Sequence, residues 1–218
     1  MKRIGIMGGT FNPIHNGHLA IAERAREQFL LEKVLFIPSG VPYMKDLQAV
    51  LPVETRCEMT AAAIAGKPYF ELSDIETADA KHGKNTYTFE TLQKLKAADP
   101  QAAYYFILGA DSLYDMEHWK NPELIFQNCT ILAAVRGAEA EPHLQDKLAG
   151  QIQYLQEKYQ ASIAMLKMEG MELSSTQIRK CVKEGKSIQN MVPEAVAAYI
   201  QEHHLYEIVI PDRKDIAP

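Results

Sequence analysis

A chain of 218 residues, 47% apolar and 23% charged, can fill the core of one large α/β domain, which excludes a disordered chain and any need for a disulfide or metal to hold the fold. The net charge of −5 excludes a surface built for non-specific nucleic-acid binding, so positive charge for an anionic substrate must be local. Cys57, Cys129 and Cys181 lack CxxC or Cys/His spacing, which points to a reducing compartment and away from structural zinc.

Lys2–Met7 is a short apolar strand running into Gly8-Gly9. No secretory leader is read there, and no apolar run approaches the roughly 18 residues of a membrane span, so the expectation is a cytoplasmic protein without membrane contact. His18–Leu31 is helical, with Ala22, Ala25 and Phe29 on one face. Lys33–Pro38 is a buried strand stopped by proline, Val53–Ala65 a helix and Phe70–Ile75 a strand. Thr88–Ala98 is a helix with Phe89, Leu92 and Leu95 in register, followed by a strand over Ala103–Gly109. A short helix starts at Asn121-Pro122, then comes the strand Cys129–Val135 and the longer helix Pro142–Tyr159. Ser162–Leu166 is a strand, Ser174–Glu184 a helix closed by Gly185, and Pro193–His203 the last helix, with proline in its first turn.

The repeated β-then-α order predicts an α/β fold: a Rossmann-like doubly wound parallel sheet with helices on both faces, in a single domain over residues 1–210. Residues 211–218 are polar and are expected to fray. In such sheets ligands bind beyond the carboxyl ends of the strands, so chemistry is expected just after Met7, Pro38, Gly109 and Val135.

The first constellation lies there: Gly8-Gly9-Thr10-Phe11-Asn12-Pro13-Ile14-His15-Asn16-Gly17-His18. Paired glycines let backbone approach a ligand, and the loop feeds a helix N-terminus that favours an anion. His15 and His18, spaced i, i+3 across Gly17, are expected to point at one phosphate group. A zinc pair is the rival, but no third ligand stands out. The second constellation is Gly170 to Arg179, in which Ser174 or Ser175 caps a helix and Ser174, Ser175, Thr176 and Arg179 can face one phosphate. By itself this segment reads more readily as a plain N-cap with a solvated arginine. Lys45 after strand two, Asp111 after Gly109, and Arg136 after Val135 are further polar residues at the expected edge. Thr86-Tyr87-Thr88 opens a helix, and Trp119, the only tryptophan, could stack on a heteroaromatic ring or simply fill the core.

GGTFNPIHNGH resembles the signature loop of the nucleotidyltransferase superfamily, with His15 and His18 matching its HxGH motif. Within that superfamily the chain is similar to the bacterial nicotinate-nucleotide adenylyltransferases over nearly its whole length. The resemblance implies that Gly8, Gly9, Thr10, Phe11, Gly17, His18, Gly109, Asp111, Ser174, Ser175, Thr176 and Arg179 bind ATP. It implies that Thr86, Tyr87 and Thr88 hold the nicotinate carboxylate, that Trp119 stacks on the pyridine, and that Arg136 and Lys45 approach the mononucleotide. Two departures stand out: Asn12 replaces a common aspartate, and Tyr43-Met44 replace the Pro-His of a PPHK-like loop that keeps Lys45.

The mechanism this implies is in-line attack of the mononucleotide 5′-phosphate on the α-phosphorus of ATP, expelling pyrophosphate. That phosphate is already nucleophilic at neutral pH, because its second pKa is about 6. His15, His18, Lys45 and Arg179 are assigned to stabilise charge, and magnesium to be carried mainly by the ATP phosphates rather than by a protein metal site. ATP and nicotinate mononucleotide are thus the expected partners, and a homodimer is left open. The alternatives are another phosphorylated acceptor (nicotinamide mononucleotide, phosphopantetheine or a phosphorylated alcohol) and a non-catalytic module that binds adenine nucleotides. A dinucleotide oxidoreductase fits poorly, because Gly5-x-x-Gly8-Gly9 is not GxGxxG.

Overall fold

Each strand is followed by at least one helix before the next strand, a spacing that suits parallel pairing with crossovers. The computed structural model describes residues 1–41, 50–81, 83–135, 142–168 and 173–207. Its elements are β1 (Arg3–Gly9), α1 (Asn16–Gln28), β2 (Lys33–Pro38), α2 (Val53–Ile64), β3 (Phe70–Leu72), α3 (Thr77–Lys81) and α4 (Thr88–Ala98). There follow β4 (Ala103–Gly109), two 3₁₀ turns (Ala110–Tyr114 and Met116–His118), α5 (Pro122–Asn128), β5 (Thr130–Val135), α6 (Pro142–Tyr159), β6 (Ile163–Lys167), α7 (Ser175–Lys183) and α8 (Glu194–Glu202). The six strands form one all-parallel sheet in the order β3-β2-β1-β4-β5-β6. This is the Rossmann-like doubly wound α/β fold in a single domain.

Side-chain alternation divides the core in two. Val34 and Phe36 of β2, with Met7 and Ile107, pack beneath α1, α2, α7 and α8, where Ala22, Met59, Ile178 and Val196 meet them. Ile4, Ile6, Leu35 and Phe106 face the other way, onto Leu92 of α4, Ile125 of α5 and Leu155 of α6. Ile6, Phe36, Ile107 and Ile131 are fully buried, each contributing about 1.5–3 kcal/mol. Leu148 and Leu155 of α6 are core residues.

The differences from the sequence reading concern ends and short elements. β1 runs on to Gly9 because Gly8 and Gly9 stay in register with Ile37 and Pro38. α1 begins at Asn16, before the expected His18, because His15 takes the cap position. α3 and the two 3₁₀ turns are too short to show a period, and no such element is predicted from the sequence. Among the described residues no helix is long and apolar enough to cross a membrane. Residues 211–218 lie outside the described residues.

Candidate active site

The strand order reverses between β1 and β4, and the crevice beyond their carboxyl ends is where a doubly wound sheet binds its ligand. A cavity of about 480 Å³ lies there, walled by Gly9 and Thr10 of the β1 end, His18, Thr86, Asp111 and Trp119. Its size suits a small molecule.

The loop after β1 is shaped by Phe11, whose φ of +48° turns the chain and whose ring is buried against Phe36. The chain then enters α1 with His15 as an extended N-cap. The His15 backbone N–H donates to His18 Nδ1 at 3.2 Å, so a neutral His18 carries its proton on Nε2. The two imidazoles stack with centroids 3.6 Å apart, and Phe11 meets His18 edge-on at 5.1 Å. Gly17 makes this possible: a Cβ there would sit 3.1 Å from His15 Nδ1. The rings are therefore not equivalent. His18 lines the cavity, whereas His15 is 3% exposed and lies behind it as support. The cap position turns His15 inward, so that of the two imidazoles expected at one phosphate His18 is the one lining this cavity.

α7 docks on the same loop from a distant part of the chain. Ser174 caps α7 by accepting from the Gln177 N–H at 3.2 Å. Ser175 Oγ donates to Pro13 O at 2.8 Å, and Arg179 Nη1 donates to Asn12 O at 2.8 Å. Arg179 also donates to Thr176 Oγ1 at 3.3 Å. His15, His18 and Arg179 thus converge on one loop, to which Ser175 and Arg179 bond, but Arg179 and Ser174–Thr176 do not line the 480 Å³ cavity. Asn12 is a buried acceptor: its Oδ1 receives the Tyr206 hydroxyl at 2.9 Å and the Leu51 N–H at 3.4 Å. Burial raises the Tyr206 hydroxyl well above its ordinary pKa, which keeps it a donor.

The opposite wall is the start of α4. Thr86 is 7% exposed, lines the cavity, and its hydroxyl has no hydrogen-bond partner among the described residues. Thr88 lines the cavity too, while Tyr87 takes the cap position and packs beside Phe89. Trp119 reaches the cavity edge-on to Phe106, with centroids 6.2 Å apart. Its 3₁₀ turn is tied to α6 by Glu117, which accepts from Lys158 at 2.7 Å, Tyr154 at 3.1 Å and Tyr159 at 3.2 Å. The Lys158 ammonium holds the Glu117 carboxyl below the usual carboxylate range. Lys45, Arg136, Tyr43 and Met44 lie outside the described residues.

Glu76 and Arg56 carry roles the sequence reading missed. Glu76 lines the cavity, accepts from the Gly40 N–H at 3.1 Å and from Thr91 Oγ1 at 2.7 Å, and so joins the β2 end to α4. Arg56, on α2, is 1% exposed and hydrogen-bonds to loop carbonyls. Both look like ordinary helix-flanking charges in sequence, and no spacing signal marks them. Cys129 is no nucleophile, since burial pushes its thiol up to about 12. Among the described residues no group of three His, Cys, Asp or Glu could hold a metal ion.

The cytidylyltransferase-like family model matches residues 6–181. The "probable nicotinate-nucleotide adenylyltransferase" of Lachnoclostridium phytofermentans is 43% identical over 206 residues, covering 94% of this chain and 100% of the relative. That of Dehalococcoides mccartyi is 40% identical over 208 residues, covering 94% and 97%. The chain belongs to the nicotinate-nucleotide adenylyltransferase family. The fold agrees: Plasmodium falciparum nicotinic acid mononucleotide adenylyltransferase complexed with NaAD superposes with a TM-score of 0.75 at 19% identity, over 94% of this chain and 98% of that one. The same enzyme complexed with APC gives 0.74 at 18% identity over the same shares. The histidine loop and the Ser174–Arg179 segment are far apart in this chain, and they meet at Asn12 and Pro13.

Proposed function

We propose that the chain transfers the adenylyl group of ATP to nicotinate mononucleotide, giving nicotinate adenine dinucleotide and pyrophosphate. A mononucleotide phosphate oxygen bonds to the α-phosphorus as the bond to the pyrophosphate oxygen breaks. No protein nucleophile is needed, and the protein's work is to hold two anions in line and stabilise the charge that develops. His18 Nε2 donates to the phosphates, with His15 holding its ring. Arg179, Ser174, Ser175 and Thr176 support the loop on the ATP side, and Lys45 supplies further positive charge. Thr86, Tyr87 and Thr88 receive the nicotinate carboxylate at the α4 N-terminus, Trp119 stacks on the pyridine, and Arg136 approaches the mononucleotide. Gly109 and Asp111 receive the adenosine ribose. Magnesium bound with ATP would supply charge neutralisation for the leaving pyrophosphate, with no cluster of three His, Cys, Asp or Glu among the described residues to hold it. The compartment that fits is the cytoplasm, where ATP is supplied and the three thiols stay reduced.

The observation that carries this reading is that one cavity is lined both by His18 of α1 and by the buried Thr86 just before α4, whose hydroxyl has no hydrogen-bond partner among the described residues. The anion-ready helix start and the phosphate-facing imidazole lie across one crevice. The test is pyrophosphate release from ATP with nicotinate mononucleotide, nicotinamide mononucleotide or phosphopantetheine as acceptor, with and without EDTA. Fastest turnover with the acid mononucleotide, abolished by EDTA and restored by magnesium, is expected. Equal or faster turnover with another acceptor would overturn the assignment, and no release with any acceptor would make the chain a binding module.

A further inference from the structure

A crevice for two polyanions needs positive charge, yet the described residues lining this cavity include Glu76, Asp111 and one imidazole, and no lysine or arginine. A guanidinium lies directly behind the wall. Arg56 is 1% exposed, and its N–H groups make four bonds to main-chain carbonyls on three separate segments. Nη1 donates to Thr10 O at 2.8 Å, and Nη2 to Ser39 O at 2.6 Å and Gly40 O at 3.0 Å. Nε donates to Leu51 O at 2.9 Å. Thr10 and Ser39 are themselves wall residues of the cavity, at the ends of β1 and β2.

We propose that Arg56 is a positioning residue for adenylyl transfer, its buried guanidinium clamping the β1 loop to the β2 loop and so fixing the spacing and charge of the phosphate-facing wall. This rests on the reading that the cavity takes ATP and a mononucleotide. The planar fork suits a clamp because it meets carbonyls on both loops at once, which an ammonium cannot. Stability alone is a poor reason for it. Among the described residues Arg56 forms no salt bridge; Glu54 and Glu76 favour its charge only at longer range, and a buried cation bonded directly to carbonyls alone is expensive to keep. Burial draws the Arg56 pKa down from its ordinary value, the sign of a charge kept away from water. A polyphosphate beyond Thr10 and Ser39 would offset that expense when bound. A positioning role makes the clamp worth more to catalysis than to the fold.

The experiment compares Arg56→Lys and Arg56→Ala with the unmodified chain. Three quantities are read at a temperature where circular dichroism shows each variant folded: kcat and KM for both substrates, ATP Kd from the fluorescence of the lone Trp119, and Tm. Arg56→Ala should lose roughly tenfold to a hundredfold in kcat/KM, the scale of an ångström-level misplacement. Added methylguanidinium, at concentrations too low to denature, should recover much of it. Arg56→Lys should keep ATP Kd within about threefold yet lose at least about tenfold in kcat, because charge persists and the fork does not. If Arg56→Ala does not fold, Arg56→Lys decides. A folded Arg56→Lys with kcat and ATP Kd both within about threefold of the unmodified chain, whatever its Tm, overturns the proposal and leaves Arg56 a residue of the fold alone. An Arg56→Lys that also fails to fold overturns it in the same way. Should the unmodified chain bind ATP but release no pyrophosphate, the transfer reading fails, and Arg56 is judged on ATP Kd. There a loss of at least about tenfold on Arg56→Ala that methylguanidinium reverses upholds the clamp, and anything less overturns it.

Discussion

Replacing Gly40 by alanine tests how tightly the acceptor wall is built. The added Cβ would lie 2.6 Å from the Glu76 carbonyl oxygen and 2.7 Å from Thr86 Cγ2. Ordinary contact begins at 3.4 Å, so the carbonyl must retreat about 0.8 Å and the Thr86 methyl about 0.7 Å. Neither moves freely. The Glu76 carbonyl accepts from the Ala80 N–H at 3.2 Å, and the Glu76 carboxylate accepts from Gly40's own N–H at 3.1 Å. Overpacking of this kind destabilises by about 1–3 kcal/mol. At about 2–4 °C per kcal/mol for a chain this long, Tm should fall by about 2–12 °C. Catalysis should suffer more, because the displaced Thr86 lines the cavity. We expect kcat/KM for nicotinate mononucleotide to fall about tenfold to a hundredfold, with KM for ATP changed by less than about threefold. Steady-state pyrophosphate release with each substrate varied, beside a thermal melt, measures both. A Gly40→Ala protein with Tm within about 1 °C and acceptor kcat/KM within about twofold of the unmodified chain would refute the close approach on which this rests.

His18→Ala should lower kcat by roughly 10²–10³ with a small change in Tm, as expected for losing one transition-state donor; near-normal turnover would remove His18 from the chemistry. Thr86→Val keeps the shape and deletes a hydroxyl that bonds to no described residue. KM for the acid mononucleotide should therefore rise about tenfold or more while Tm stays level or increases, and an unchanged KM in a titration of the acceptor would exclude Thr86 from the site. Tyr206→Phe removes the hydroxyl bonded to Asn12 and should cost about 1 kcal/mol, or about 2–4 °C. The Tyr206 pKa is raised in the folded chain. Its stabilisation is therefore full below the unfolded value of about 10 and drains as pH rises beyond it. Melts of the two proteins from pH 7 upward should show a shallower decline above about 10 for Tyr206→Phe. Tyr104, raised by burial, and Tyr199, pushed up to about 12 by its bond to Glu58, leave a residual slope in both. Identical slopes would show that Tyr206 titrates normally.

Much of the site could be read along the chain because its signals are local. The β1 strand, the glycine pair, the i, i+3 histidines and the Ser174 cap each lie within one turn or loop, where spacing and backbone preference decide the outcome. The ends of β2, α4, β4 and α6 follow from the same short-range rules, since proline and the period of apolar residues mark them. The alternation of strand and helix implied a parallel sheet, whereas the strand order β3-β2-β1-β4-β5-β6 came from the structure.

What spacing cannot contain is which face a side chain turns to once distant segments meet. His15 and His18 look alike in sequence, and only the cap geometry puts one in the cavity and the other beneath it. Arg179 is a helix arginine until α7 lands on Asn12, 167 residues away in sequence. Arg56, Glu76 and Gly40 join the ends of β1 and β2 to α4, and their bonds exist only because the sheet brings those ends side by side. Local physics wrote the elements and motifs of this chain; the packing of the parallel sheet alone decided which of its charges stand together at one crevice.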